Sequence, residues 1–333
     1  MNKQLKAGLI GCGDYLRWEI DNLNNSKYFK VKYTFDIDKV KSRTIAGKIG
    51  AQPADSDDVI FDDPKIDIVM IFTPPWIRID LFQKAADSGK HIITTKPLAP
   101  NVKDAEKLFN IVHGKVNCAV FYGRTGNANV EKIRQILDSG EIGSLALYKE
   151  DWFHHYPTWN DWATDPEKNG GPFMDAMVHN LNKSIYLAGS AVKSINYFSD
   201  NFAQSLMCND TEFMKVNFEN GASSYLFITW AADLEVFDPT GNDREHYGIL
   251  HMITDQGWYI TEEETDTGNV IRAKKEAQVK EWIVDPLPYT PYDDVSISIQ
   301  EGKPQKHDIS LALNDIKLLE IASANISEAK EII

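Results

Sequence analysis

The sequence predicts an α/β chain in two parts: a parallel sheet wound by helices, then an α/β domain built on a large, mostly antiparallel open sheet. Three observations predict it. The first third alternates short apolar runs with longer amphipathic segments, the rhythm of βαβ units. Runs such as Ile66-Asp67-Ile68-Val69-Met70-Ile71-Phe72 are apolar almost throughout, as strands covered on both faces are. From Val192 to about Ile283, strand-length segments follow one another with turn signals between them, among them Glu219-Asn220-Gly221 and Asp255-Gln256-Gly257.

In the first part, strands are expected to end near Ile10, Phe35, Phe72, Ile93 and Phe121, with helices between them such as Leu81 to Ala86 and Asp104 to Val112. The pattern changes after about Arg124. A helix from about Asn129 to Leu137 stops at Ser139-Gly140, and an aromatic-rich strand and loop run from Ala146 to Trp162. Gly170-Gly171-Pro172 opens another helix, to about Leu187, with Pro172 compatible with its first position. Pro286 to Pro304 reads as a long loop. A closing helix, about Ile309 to Glu328, has Leu311, Ile316, Leu319 and Ile321 among its apolar positions. The expected organisation is a first domain over 1–123, a second over 124–308, and a C-terminal helical segment, 309–333, packing back on the first.

A length of 333 residues fits two domains at roughly 150 residues each. The formal net charge of -14 argues against nucleic acid, because a phosphate backbone would repel such a chain. Cys12, Cys118 and Cys208 are far apart and form no C-x-x-C pair, so no zinc site or disulfide framework is expected and no metal is assigned. The basic start and the short run Leu5-Lys6-Ala7-Gly8-Leu9-Ile10 lead into glycines and not into a small-residue cleavage site. No apolar stretch approaches the roughly 20 residues of a membrane span. The expectation is a cytoplasmic protein without a membrane partner.

The strongest local motif is Gly11-Cys12-Gly13-Asp14-Tyr15-Leu16, between an expected strand and an expected helix. Glycine there lets the chain turn tightly and lets backbone approach a pyrophosphate, and the helix N-terminus offers N–H groups to the anion. Leu16 stands in place of the third glycine. Asp36, at the expected end of the second strand, suits the adenosine ribose hydroxyls and would repel a 2′-phosphate. The expected cofactor is therefore NAD, with NADP left open by Lys39, Lys41 and Arg43 nearby. Gly11, Gly13, Asp14, Tyr15 and Asp36 are candidate contacts. Thr73-Pro74-Pro75-Trp76 follows a buried strand, so Thr73 and Pro74 are candidates too, because ligands of open α/β sheets sit beyond the carboxyl ends of strands. From spacing alone, a plain proline-rich turn explains that segment equally well.

Thr94-Thr95-Lys96-Pro97-Leu98 places Lys96 at another strand end, with Pro97 favouring an extended backbone before it. Partial burial there would lower a lysine pKa and suit it to exchange a proton with a substrate hydroxyl. A solvated surface lysine is the plainer alternative. In Asn169-Gly170-Gly171-Pro172-Phe173-Met174-Asp175-Ala176-Met177-Val178-His179, Asp175 and His179 are four apart and share a helix face. They would present a carboxylate and an imidazole to one pocket, though helical pairs of this spacing are common without function. The run Asp151-Trp152-Phe153-His154-His155-Tyr156-Pro157-Thr158-Trp159-Asn160-Asp161-Trp162 mixes aromatic faces with polar groups, which suits a carbohydrate. Trp152 and Trp162 are candidate substrate contacts. An interface or a core edge is the competing explanation. Adjacent His154 and His155 would point to opposite faces of a strand, which disfavours a metal site.

In order and spacing these motifs resemble the Gfo/Idh/MocA family of oxidoreductases, named for glucose–fructose oxidoreductase and inositol dehydrogenase. The likeness covers nearly the whole chain and is densest from about Leu5 to Leu187. The glycine turn resembles the family's start, Thr73-Pro74-Pro75 its T-P-N-x-x-H segment, and Lys96-Pro97-Leu98 its E-K-P signature. Ser139-Gly140-Glu141-Ile142-Gly143 resembles its G-x-I-G turn, and Gly170-Gly171 through Asp175 to His179 its G-G-G-x-x-x-D-x-G-x-H segment. Ala312-Leu313-Asn314-Asp315 is similar to its last helix. The resemblance implies a Rossmann domain followed by an α/β domain whose sheet forms a homodimer or homotetramer. It implies Lys96, Asp175 and His179 as catalytic residues that also hold substrate, with Lys96 touching the cofactor as well. His179 would be the leading proton acceptor in the oxidation of a secondary alcohol, Lys96 would polarise its oxygen, and Asp175 would orient the substrate. The sequence departs from the family at Thr95 for Glu, at Pro75 and Arg78 for Asn and His, at Met177 for Gly, and at Asn182 for Asp.

Three activities fit these residues. The leading one is an NAD(P)-dependent dehydrogenase of a sugar, polyol or derivative. The second is a glycosidase or lyase in which bound NAD is reduced and reoxidised within one cycle. The third, a non-catalytic dinucleotide sensor, is disfavoured by the presence of Lys96, Asp175 and His179.

Overall fold

The computed structural model describes residues 3–153, 161–232, 247–266 and 268–325. The chain divides into two compact units, one formed by 1–122 with 287–317 and the other by 123–286 with 318–333.

In the first unit the strands are β1 (Leu5–Ile10), β2 (Phe29–Phe35), β3 (Gln52–Pro53), β4 (Ile68–Ile71), β5 (His91–Thr95) and β6 (Cys118–Phe121). They form one parallel sheet in the order β3-β2-β1-β4-β5-β6. Helices α1 (Leu16–Asn25), α2 (Lys39–Ile49), α3 (Asp58–Asp62), α4 (Arg78–Asp87) and α5 (Val102–Val112) make the crossovers. Every residue of β4 and β6 is buried, which is why these strands read as unbroken apolar runs. The order reverses between β1 and β4, so their carboxyl ends open the crevice where ligands of this architecture bind.

The second unit begins with α6 (Ala128–Ser139) and β7 (Leu145–Phe153). A π-helical turn at Phe173–Met177 then runs directly into α7 (Val178–Ala188). The remaining strands are β8 (Val192–Asp200), β9 (Thr211–Phe218), β10 (Ser223–Thr229), β11 (Tyr247–Thr254), β12 (Tyr259–Thr265), β13 (Gly268–Lys275) and β14 (Gln278–Ile283). Eight strands form a sheet ordered β14-β13-β12-β11-β7-β10-β9-β8, antiparallel except where β7 meets β10. Burial alternates along β9 and β10, with one face under α7.

One expectation needs correction. The stretch from Pro286 to Pro304 is not a continuous loop: it contains α8 (Pro291–Glu301). Thr290 and Asp293 form a reciprocal capping box around Pro291 at the first helical position, and Tyr292 packs on Phe29 and Phe121. In the last helix, α9 (Ile309–Ala324), Leu311 and Ile321 are exposed. The buried stripe is Ile309, Ala312, Ile316, Leu319 and Ala322, which keeps the helical spacing that Leu311 and Ile321 miss.

Candidate active site

The first unit builds a turn between β1 and α1. Gly11 has φ +93°, and a Cβ there would lie 2.6 Å from the Phe72 carbonyl oxygen, so both strain and space require glycine. Gly13 differs. A Cβ there would meet nothing within 4 Å, so the fold itself does not need glycine at this position. The open space beside it is a cradle that a side chain would occupy, as expected where a pyrophosphate approaches backbone. The first helical bonds run from Leu16 N–H to the Gly13 carbonyl (3.2 Å) and from Arg17 N–H to the Asp14 carbonyl (3.0 Å), placing the preceding N–H groups ahead of the helix. Leu16 is fully buried in the core, filling the volume that a third glycine would leave to helix and strand. Asp14 is exposed and pairs with Arg17 at 3.0 Å. The Tyr15 ring stands edge-on to Phe72, and burial, with the adjacent Glu19 charge and hydrogen bond, raises its pKa. Its hydroxyl is thus directed to Glu19.

Asp36 at the end of β2 has a role that spacing did not reveal. Its Oδ2 accepts the Cys12 N–H (2.7 Å) and its Oδ1 the Asp38 N–H (2.8 Å), so the carboxylate also shapes the glycine turn. Each oxygen keeps a lone pair for a ribose hydroxyl. Burial, and then the Asp36 charge, push the Cys12 thiol up to about 12, leaving it unreactive. The Lys39 amine is held by the Asp55 carbonyl (2.7 Å) and lies over the Phe35 ring.

Beyond β4, the Thr73 hydroxyl oxygen is buried with no hydrogen-bond partner among the described residues. Lys96 follows β5. Its N–H donates to the Phe121 carbonyl (3.1 Å), its peptide bond to Pro97 is cis, and the residue is half-buried. Between these turns lies Arg78, only 2% exposed. Its Nε and Nη2 donate to the Thr73 carbonyl (3.0 and 2.8 Å). Its Nη1 donates to the carbonyls of Thr95 (2.7 Å), Pro97 (2.6 Å) and Leu98 (3.3 Å).

In the second unit, Gly170 and Gly171 have φ +85° and +108°, and the Gly171 N–H reaches the Ala163 carbonyl at 3.3 Å. Trp162, half-buried in a short 3-10 turn, immediately precedes Ala163. The π turn then carries Asp175, whose Oδ1 accepts from Asn169 Nδ2 (3.0 Å). Glu212 of β9 is buried beneath this turn and accepts both the Phe173 N–H and the Tyr197 hydroxyl. Burial raises its carboxyl to about 7, against the pull of those two donors.

His179 follows on α7, and its Nδ1 accepts the Gly123 N–H at 3.2 Å. In the neutral ring the proton then sits on Nε2, which makes that nitrogen a donor. One turn further, Asn182 Oδ1 accepts the Thr125 hydroxyl at 2.6 Å. These two bonds anchor one face of α7 to the segment after β6. Lys183, on the same helix, meets Glu150 at 3.1 Å, as does Arg124 at 3.2 Å. Burial pulls the Glu150 carboxyl upward, but the two cations with the Tyr148 and Trp152 donors outweigh it and hold it below its usual range. Trp152 donates Nε1–H to Glu150 (3.2 Å) under the Arg124 guanidinium, 4.0 Å from the ring centre, so its indole is fixed in place.

Within the first unit, then, Gly11, Gly13, Asp36, Thr73 and Lys96 follow the carboxyl ends of neighbouring strands. The second unit places Asp175, His179 and Trp152 with Asn169, Gly123, Glu150 and Lys183. His154, His155 and the rest of 154–160 lie outside the described residues. Glu212 and the Glu150 cluster with Arg124 and Lys183 gave no sequence signal beyond polarity, because those partners are 26 to 39 positions apart, whereas Arg78 was marked only as a departure from the family pattern and Asn169 only as the start of the Gly170-Gly171 segment.

Comparison with known proteins agrees with this geometry. Residues 5–123 match the sequence model of an oxidoreductase family with an NAD-binding Rossmann fold, and residues 130–241 match the GFO/IDH/MocA C-terminal domain. Similar curated proteins include the uncharacterized oxidoreductase YrbE of Bacillus subtilis, 29% identical over 68% of this chain and 67% of the relative. The scyllo-inositol 2-dehydrogenase (NAD(+)) of the same organism is 25% identical over 67% and 66%. Matches of that extent span about two thirds of each relative. Among solved structures, the aldose-aldose oxidoreductase of Caulobacter crescentus, complexed with glycerol, aligns with a TM-score of 0.82 over 97% of each chain. At 18% identity that likeness concerns the fold.

Proposed function

The chain belongs to the GFO/IDH/MocA family of NAD-binding oxidoreductases, and on that premise we propose that it interconverts a secondary alcohol and a ketone on a sugar, polyol or derivative. The observation that carries the cofactor side is the open cradle at Gly13 beside the Asp36 carboxylate. Gly11 to Tyr15 would hold the pyrophosphate, Asp36 the ribose, and Thr73, Pro74 and Lys96 the nicotinamide end. Asp36 favours NAD over NADP. When bound, the nicotinamide supplies a two-electron acceptor for the hydride of the carbinol carbon.

The Gly123 N–H bond to His179 Nδ1 supports a division of labour different from the one the resemblance implies. With its proton on Nε2, neutral His179 donates a hydrogen bond to the substrate oxygen. Lys96, as a neutral amine, takes the hydroxyl proton while the carbon is oxidised, and returns it in the reverse direction. Asp175, braced by Asn169, accepts from a neighbouring substrate hydroxyl. The fixed indole of Trp152, with Trp162, offers the flat apolar faces that a sugar ring stacks on.

A homodimer or homotetramer through the eight-stranded sheet belongs to the same reading. Phe198, Phe213, Phe227, Asp151 and Ile249 stand in register across five strands, a mostly apolar row on the outer face that suits a second copy of this chain. The three cysteines are free among the described residues, which is compatible with the reduced cytoplasmic setting we propose.

The test is a panel of sugars, polyols and aryl glycosides, each incubated with the protein and NAD. Accumulation of reduced nicotinamide with one substrate is the expected result. Release of an aglycone without net reduction would replace this reading with internal redox cycling, and a panel with neither product would count against both.

A further inference from the structure

Arg78 is a buried cation whose hydrogen bonds among the described residues all go to uncharged oxygens. Burial pushes its pKa down to about 9, so it stays protonated at neutral pH. A buried guanidinium is costly unless its donors are satisfied, and here Nε, Nη1 and Nη2 all are. The partners fall into two groups. The Thr73 carbonyl belongs to the turn after β4, whereas those of Thr95, Pro97 and Leu98 belong to the turn after β5. The Thr95 and Pro97 carbonyls flank Lys96 on either side. A lysine has one ammonium centre and a neutral imidazole one ring donor, so neither spans both turns as a planar fork does.

We propose that Arg78 is a positioning residue that locks the Thr73 turn and the Lys96 turn into one piece and keeps a permanent positive charge within the Lys96 turn. The position is one where the family pattern carries histidine. The inference rests on the reading of Lys96 as a proton acceptor. For that role the amine must be deprotonated, and a fixed cation nearby disfavours a second positive charge. Geometry and charge thus act together: the fork sets where Lys96 leaves the strand, and the charge favours its neutral form.

The experiment compares wild type with Arg78→Lys and Arg78→Met. Hydrogen exchange of the apo protein reads the two turns, and mass spectrometry of Lys96 acylation against pH reads its ionisation. Both variants should raise exchange at the Phe72 and Ile77 amides, which bracket the two prolines, and at 95–99 together, by about tenfold or more, and raise the NADH Kd by a similar factor. In Arg78→Met the acylation profile should move to more alkaline pH by about half a unit or more. In Arg78→Lys, which keeps the charge, it should stay near wild type. A loss of packing alone would not move that profile.

A folded Arg78→Lys protein with unchanged exchange, or with change in one turn only, would overturn the coupling, even if Arg78→Met does not fold. An unmoved profile in a folded Arg78→Met protein would overturn the electrostatic half. Failure of the underlying reading looks different: Lys96→Ala would turn over undiminished while the exchange results stood.

Discussion

Replacing Glu212 with glutamine should stabilise the protein, and increasingly so as pH rises. The side chain is fully buried, accepts the Phe173 N–H and the Tyr197 hydroxyl, and has its carboxyl raised from the ordinary 4.5 to about 7. The native state therefore holds a proton that the unfolded chain has already lost. Stability linked to this group is fully present below about pH 4.5 and is lost as pH climbs through about 7. At about 1.4 kcal/mol for each tenfold change in proton affinity, the whole window is worth roughly 3 kcal/mol. Glutamine keeps both contacts, its carbonyl accepting from Phe173 and its amide donating to Tyr197, and it carries no charge. Denaturant unfolding of wild type and Glu212→Gln over about pH 5 to pH 8 reads the difference, with other titrating groups cancelling between the two proteins. The gap should open from near zero to roughly 3 kcal/mol in favour of the variant by the alkaline end. A gap independent of pH, or one that widens towards acid, would refute the reasoning.

The two glycines of the cofactor turn should behave differently. Gly11→Ala meets the Phe72 carbonyl and a left-handed backbone, and should cost about 2 kcal/mol or more in thermal or denaturant unfolding. Gly13→Ala should leave stability within about 0.5 kcal/mol yet weaken NADH about tenfold or more, by fluorescence titration. Equal effects of the two on stability would contradict the cradle. Asp36→Ala should weaken NADH and narrow the preference over NADPH, and an unchanged ratio of the two affinities would misplace the ribose contact. His307 is held down to about 4 by burial and then by Lys306, so the native state resists protonation. Its contribution is present above about pH 6.5 and is lost as pH falls through about 4, up to roughly 3 kcal/mol, and His307→Gln should flatten that acid limb.

What the sequence made legible was local. Five of the six strands of the parallel sheet ended within two residues of their expected ends, because solid apolar runs closed by turn residues have few alternatives, whereas the exposed two-residue β3 carries no such run and was not expected. The glycine turn and Asp36 were visible at their spacing. Helix α8 was not, since Pro286, Pro288 and Pro291 read as loop punctuation while the capping box Thr290 to Asp293 gave the counter-signal. The supports of the site were invisible for a different reason. Arg78 bonds carbonyls 17 to 20 positions away, Glu212 reaches Phe173 across 39, and Gly123 reaches His179 across 56. Separations of that size are set by strand order, which periodicity does not encode. The proton arrangement on His179 depends on one of these contacts.

Lys96→Ala tests the central claim most directly, with turnover on the substrate found in the panel and NADH affinity measured on the same preparation. The account predicts turnover reduced by about a hundredfold or more while NADH binding stays within a few-fold of wild type. Undiminished turnover would contradict it, because no other residue has been assigned the proton that leaves with the oxidised alcohol.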